Sequence, residues 1–186
     1  YRGAAGVTAL NLALQARLNP GAASGEDTVA YGDHTLRVGD KVMQARNNYD
    51  KGPGGVFNGD LGYVTTVEAG NGGVTVSFPD TGAVVAYEPH ELDELALAYA
   101  CTIHRSQGSE YPCVVMPLVA QPYLLLQRTL LYTAITRAKR LCVLVGDPRA
   151  LRQAVENSQR AARYTSLSDR LRGPQLPGRE LEGLPE

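Results

Sequence analysis

No apolar run in the 186 residues approaches the length of a membrane span, and no signal peptide opens the chain. Cysteine is scarce. Cys101, Cys113 and Cys142 are odd in number and lack framework spacing, which speaks against a disulfide scaffold and for reduced, buried thiols in a cytoplasmic protein. Cys101 and His104 have a metal-like gap, but no second ligand pair follows, so no metal site is expected. The lysines are Lys41, Lys51 and Lys139 alone, and none sits in a G-x-x-x-x-G-K-[ST] phosphate loop. No apolar strand ends in an Asp-Glu pair able to hold magnesium: the stretch 141–147 ends in Gly-Asp, and Asp93-Glu94 precedes a strand. A His-x-Glu with a Pro-Cys-x-x-Cys partner is missing, as is an acid–lysine cluster, so deaminase and nuclease chemistry find no support.

What is present is the composition of a globular protein, 44% hydrophobic and 20% charged, long enough for one good core or two small domains. The chain opens on Tyr1 and runs straight into a patterned helix, so it is expected to be part of something longer. The net charge of −1 hides an asymmetry. Residues 1–95 carry 6 basic and 12 acidic side chains; residues 96–186 carry 12 basic and 7 acidic, and eleven of those twelve are arginine. A basic, arginine-rich half suits an anionic partner, although solvated helix faces account for it equally well.

Val7, Leu10, Leu14 and Leu18 mark one face of a helix that Asn19-Pro20 stops. Residues 21–32 are polar and Gly-containing and read as a linker or loop. Residues 41–46, 61–68, 73–78 and 83–87 are short segments rich in Val, Thr, Tyr and Phe, separated by clusters such as Asn71-Gly72-Gly73 and Pro79-Asp80-Thr81-Gly82. Alternation broken by Asn-Gly and Asp-x-Gly turns predicts hairpins, and about five such strands make a small antiparallel barrel. The apolar residues 97–103 predict a strand covered on both faces; residues 114–118 and 141–145 predict two more. Helical spacing over 124–135 and a capped start at Asp147-Pro148 complete an α/β alternation, hence a parallel layer. The plainest assembly is one α/β domain from residues 1–32 and 95–171, with a barrel of residues 33–94 inserted and a disordered tail over 172–186.

Two segments concentrate chemistry. Thr102-Ile103-His104-Arg105-Ser106-Gln107-Gly108-Ser109-Glu110 follows the first apolar strand, which places it on the carboxyl edge of the sheet, where α/β folds bind ligands. Hydroxyls and amides at such a turn suit phosphate oxygens; a capped turn, with Ser106 and Ser109 bonding their own backbone, is the plain alternative. Leu131-Tyr132-Thr133-Ala134-Ile135-Thr136-Arg137-Ala138-Lys139-Arg140 ends an apolar helix in cations. The helix dipole explains Lys139 and Arg140, but Arg137 falls where the helix should still be packed and is a candidate for pairing with an anion across an interface.

TIHRSQGSE resembles motif V of superfamily 1 helicases, YTAITRAKR resembles their motif VI, and Tyr1-Arg2-Gly3 resembles the end of motif IV. A small barrel between the fourth and fifth motifs is similar to the SH3-like insert of the RecD-like branch, and Val38–Gln44 with Phe57-Asn58-Gly59-Asp60-Leu61-Gly62 is similar to the start of that insert. The resemblance implies a RecA-like motor domain with a parallel sheet, carrying an inserted SH3-like β-barrel. It implies ATP with magnesium as cofactor, held mainly by an N-terminal motor domain outside this chain. Arg137 would be the arginine finger on the γ-phosphate and Arg2 its second arginine. Glu110 would contact the ribose, Gln107 and Gly108 would connect nucleotide to DNA, and Thr102, His104 and Ser106 would contact the backbone of single-stranded DNA. Asn47, in a polar loop with Gln44, Arg46, Asn48, Tyr49, Lys51 and Asn58, is a further DNA candidate, although a solvated hairpin loop is as economical. The series Arg149, Arg152, Arg160, Arg163, Arg170 and Arg172 reads as an exposed helical face. The implied whole is a 5′-to-3′ DNA helicase of which this chain supplies the second motor domain; a non-enzymatic nucleic-acid-binding module is the rival.

Overall fold

The computed structural model describes residues 3, 5–21, 28–32, 34–68, 70–119 and 126–158. Arg2, Arg160, Arg163, Arg170, Arg172 and the tail 172–186 lie outside the described residues.

Helix α1 (Val7–Leu18) ends where expected, since Pro20 lacks an amide hydrogen and its ring disfavours a helical Asn19. Its buried face is not the expected one. Leu18 is 66% exposed, whereas Asn11 and Gln15 are sealed. These amides lie four residues apart, and Asn19 continues the series, so one polar stripe runs down the helix. The stripe is buried because it grips another element. Gln15 Nε2 donates to Asp40 Oδ2 at 2.6 Å and Asn19 Nδ2 to Asp40 Oδ1 at 2.8 Å. Asp40 is fully buried and also accepts from the Arg37 amide at 2.8 Å and the Tyr99 hydroxyl at 2.9 Å. Hydrogen bonds to the charged form are what allow a carboxylate to stay in such a place.

Residues expected as linker instead form strand β1 (Thr28–Tyr31), paired antiparallel with β2 (His34–Arg37). Then come β3 (Lys41–Gln44), β4 (Leu61–Val67), β5 (Val74–Phe78), β6 (Ala83–Tyr87) and β7 (Leu95–Leu97), which form one antiparallel sheet in the order β6-β5-β4-β3-β7. Burial alternates along β5 and β6 with a period of two, one face against the core and one toward solvent. That core holds Leu36, Val42, Val64, Val76, Phe78 and Tyr87 among others. Gly62 is needed for space: a Cβ there would stand 2.5 Å from Val76 Cγ1 and 2.9 Å from the Ser77 carbonyl oxygen.

The expected strand over 97–103 is not formed beyond Leu97, and β7 pairs antiparallel with β3 inside the small sheet. Residues 98–102 are irregular and 103–108 are turn. The parallel pairing expected of the second half is present as β8 (Tyr111–Leu118) beside β9 (Ala138–Gly146). Helices α2 (Arg128–Ile135) and α3 (Pro148–Glu156) pack on one face, burying Met116, Leu118, Leu131, Ala134, Ala150 and Ala154. Asp147 caps α3 by accepting from the Arg149 amide at 2.8 Å, as the Asp-Pro signal predicts. Double coverage of this sheet is not observed among the described residues: Val115, Leu141, Val143 and Val145 on the other face are 36–64% exposed. Cys113 is exposed as well, against the expectation of buried thiols, because its side chain points to that open face. Among the described residues no helix is long and apolar enough to cross a membrane.

Candidate functional site

Residues 102–110 fold as a succession of tight turns. The Ser106 amide donates to the Thr102 carbonyl at 3.1 Å, Gln107 to His104 at 3.2 Å and Ser109 to Ser106 at 3.1 Å. Thr102 Oγ1 accepts from the Arg105 amide at 3.2 Å, and Ser106 Oγ donates to the Ile103 carbonyl at 2.8 Å. Ser106, 6% exposed, bonds the turn itself in this structure, as the plain alternative has it. His104, Gln107, Gly108 and Glu110 face solvent, and Thr102 and Arg105 are half-buried. Gly108 has φ +86° and a Cβ there would meet nothing within 4 Å, so glycine is favoured by conformation and not by space.

Because no strand precedes it directly, this segment lies at the amino end of β8, not at the carboxyl edge of a parallel strand. Helix α1 holds its upstream side. Asn11 clamps the backbone of Ala100 twice, Nδ2 donating to the carbonyl and Oδ1 accepting from the amide, both at 2.9 Å. An amide side chain used this way imitates a neighbouring strand. Tyr99, next door, is tied to Asp40, and burial first, then that hydrogen bond, push its hydroxyl pKa up to about 12.

The second segment meets the first at the start of the parallel pair. Helix α2 stops at Ile135, so Arg137 occupies the turn and Lys139 and Arg140 already belong to β9; the expectation that these cations end the helix is corrected. The Tyr111 amide donates to the Arg137 carbonyl at 2.8 Å, closing the seam. The Arg137 guanidinium rests on neutral oxygens: Nε on the Thr133 carbonyl at 3.2 Å, Nη1 on the Ser109 carbonyl at 3.2 Å and Nη2 on Thr136 Oγ1 at 3.4 Å. Among the described residues no carboxylate pairs with it, so its charge is not neutralised there, which fits a phosphate partner. Glu110 does have a cation, Lys139 Nζ at 3.0 Å, with both side chains more than half exposed. Burial raises the pKa of the Tyr111 hydroxyl beneath this seam, with Cys101 adding to the effect.

The loop between β3 and β4 comes up beside the same turn: a Cβ on Gly59 would stand 3.9 Å from the Arg105 carbonyl oxygen. Here Asn47 and Asn58 are exposed and bonded to each other, the Asn58 amide to Asn47 Oδ1 at 2.9 Å. The loop is anchored from below by Glu94, which accepts from Gln44 at 2.8 Å, Arg46 at 3.0 Å and Asn48 at 3.1 Å. Burial works to raise the Glu94 pKa, but the hydrogen bonds from Asn48, Gln44 and Arg46 outweigh it and hold the carboxyl below its ordinary value. Thus Thr102, His104, Gln107, Gly108, Glu110, Arg137 and Asn47 are brought to one region. Asn11, Asp40, Tyr99 and Glu94 organise that region and were not legible as site residues; the only signal is the spacing of Asn11, Gln15 and Asn19. Among the described residues no three Asp, Glu, His or Cys side chains cluster as a metal site would require.

Residues 10–78 match the family model of the ATP-dependent RecD-like DNA helicase SH3 domain, and residues 97–145 match that of the UvrD-like helicase C-terminal domain. Over 171 residues, 92% of its length, the chain is 39% identical to the ATP-dependent RecD2 DNA helicase of Deinococcus radiodurans, covering 22% of that protein. Over 171 residues it is 33% identical to the RecBCD enzyme subunit RecD of Mycolicibacterium smegmatis, covering 28% of it. A solved structure of two coordinating Pif1 helicases unwinding forked dsDNA matches 78% of this chain and 36% of its own at 26% identity, with a TM-score of 0.47. The chain thus spans between 22% and 28% of the length of these two curated relatives.

Proposed function

Since the chain belongs to the RecD-like branch of the superfamily 1 DNA helicases, we propose that it is the second motor domain, with its SH3-like barrel inserted, of an ATP-dependent helicase moving 5′ to 3′ on single-stranded DNA. In this reading residues 1–32 and 95–171 form the RecA-like unit and 33–94 the barrel.

The observation that carries the proposal is the seam at Arg137, where a guanidinium is oriented by three neutral oxygens and, among the described residues, has no carboxylate partner. Oriented in this way, it is poised to donate hydrogen bonds to a γ-phosphate presented by another domain. Charge accumulating on phosphate oxygens during transfer would be met by a group already in place, which is where such a residue gains its effect. When bound, ATP with magnesium would supply the phosphoryl group whose transfer to water drives the cycle; we assign its phosphate cradle and metal ligands to an N-terminal motor domain. Arg2 is proposed as a second arginine. Glu110 would accept from ribose hydroxyls once Lys139 is displaced. Thr102, His104 and Ser106 would grip the DNA backbone without reading bases, and Gln107 and Gly108 would connect the nucleotide to that grip. The turn proposed to contact DNA and the turn bearing Arg137 are directly joined, Arg137 Nη1 donating to the Ser109 carbonyl at 3.2 Å, which would let the two act together.

DNA-stimulated ATP hydrolysis by the full-length protein tests this. Arg137→Ala should lower kcat by roughly 10³-fold or more while leaving the affinity for an oligothymidine within about two-fold, and Arg137→Lys should recover little. Unchanged turnover in Arg137→Ala, or a loss of DNA affinity in place of turnover, would sink the proposal in favour of a simple nucleic-acid-binding module.

A further inference from the structure

The loop between β3 and β4 carries two aromatic rings in the open: Tyr49 is 73% exposed and Phe57 is 38% exposed. Their centroids are 5.6 Å apart with planes at 77°, so an edge contact props the tyrosine and leaves ring surface uncovered. The loop that presents them is braced. Asn48 and Val56 exchange backbone hydrogen bonds at 2.8 Å in both directions, and the Phe57 amide donates to Asp60 at 2.8 Å. Gly55, at φ +80°, leaves room that a side chain would fill: a Cβ there would stand 3.2 Å from the Tyr49 Cα and the Asn48 carbonyl oxygen. A side chain on so fixed a loop loses little freedom when something lands on it.

The charges of the loop show what that something is. Arg46 is paired with Asp93 at 3.1 Å and Glu94 at 3.0 Å; Lys51 is paired with Glu91 at 2.7 Å and lies 4.5 Å over the Tyr87 ring. Both cations are committed, so the loop has little to offer a phosphate. What it presents is π surface and the side-chain amide of Asn58, while Asn47 is spent inside the loop, donating to the Tyr49 hydroxyl at 3.4 Å and accepting from the Asn58 backbone amide at 2.9 Å; flat face and polar amide suit an unpaired base. The free cation nearby is on the other side: Arg105 has no carboxylate partner among the described residues and belongs to the turn adjoining Gly59.

We propose that Tyr49, propped by Phe57, is a stacking platform for one unpaired base of a single strand whose backbone is gripped by the adjoining turn of residues 102–108. This rests on the nucleic-acid reading above and adds to it a division of labour, base on the barrel loop and phosphate on the turn. The stacking contact is uncharged, so its contribution persists as salt rises, whereas the phosphate contacts weaken.

The probe is fluorescein-labelled dT15 titrated with the 186-residue chain at low and high salt. Tyr49→Ala should weaken binding roughly 5- to 100-fold, by about the same factor at both salt concentrations. Tyr49→Phe should bind as the unaltered chain does, and an abasic oligomer of the same length should show the unaltered chain the loss that Tyr49→Ala shows on dT15. Arg105→Ala should instead flatten the salt dependence. Binding of dT15 that ignores both Tyr49→Ala and removal of the bases overturns the platform alone. No binding of dT15 by the unaltered chain overturns the nucleic-acid reading and the platform with it.

Discussion

Asp40 joins three parts of this molecule through one side chain. One carboxylate with no exposure accepts from a helix, a hairpin and the hydroxyl of Tyr99. Asp40→Asn puts an amide hydrogen among groups that are already donors, so the loss exceeds that of one hydrogen bond. We expect about 1–3 kcal/mol off the unfolding free energy, measured by urea titration, against about 1 kcal/mol for Tyr99→Phe, which deletes a single donor. Hydrogen exchange should show the Ala100 amide losing protection in Asn11→Ala at a smaller global cost. Equal stability of Asp40→Asn and the unaltered chain would mean that the four donors are satisfied in some other way. Nothing in the sequence marks Asp40: its partners Gln15 and Tyr99 stand 25 and 59 residues away. Arg137 and Glu110, by contrast, are singled out as candidates by sequence because both fall in short, dense, locally patterned strings.

Elements divide along the same line. The ends of β5 and β6 follow from local chemistry, since alternation sets which face is buried and the intervening Gly82, at φ +71°, turns the chain. The register of β7 does not, because its partner β3 is distant in sequence and a three-residue strand has no periodicity of its own. That is why 97–103 reads as one buried strand and is instead a short edge strand followed by turns. The polar stripe of α1 was hidden for a related reason, since apolar spacing is informative only when the partner surface is apolar. Gly62 provides the test at this scale. Gly62→Ala drives a methyl against Val76 and the Ser77 carbonyl between β4 and β5, and should cost about 1–3 kcal/mol with loss of the five-stranded sheet's cooperativity in thermal scans. A neutral outcome would show that the two strands can separate without penalty.

For the whole molecule, acid is the informative perturbant. Glu94 is held below its ordinary pKa of 4.5 in the folded state, and Glu91 is held below it by the Lys51 hydrogen bond first and the Glu88 amide second. Groups with depressed folded values contribute stability that is present above the unfolded value and lost as pH falls through the folded one. The urea midpoint should therefore be nearly level above about pH 5 and fall below 4.5, and Glu94→Gln should blunt that fall. A midpoint in Glu94→Gln that drops as steeply as in the unaltered chain would assign the acid sensitivity elsewhere. The Asp40 junction has one more meaning at this scale. Asn19 at the end of α1 and Tyr99 after β7 both bond the same Oδ1 of Asp40, at 2.8 and 2.9 Å. Residues far apart in the chain are thereby tied to one oxygen, so a single side chain pins the end of α1 to the start of the segment that leads into the turns of residues 102–110.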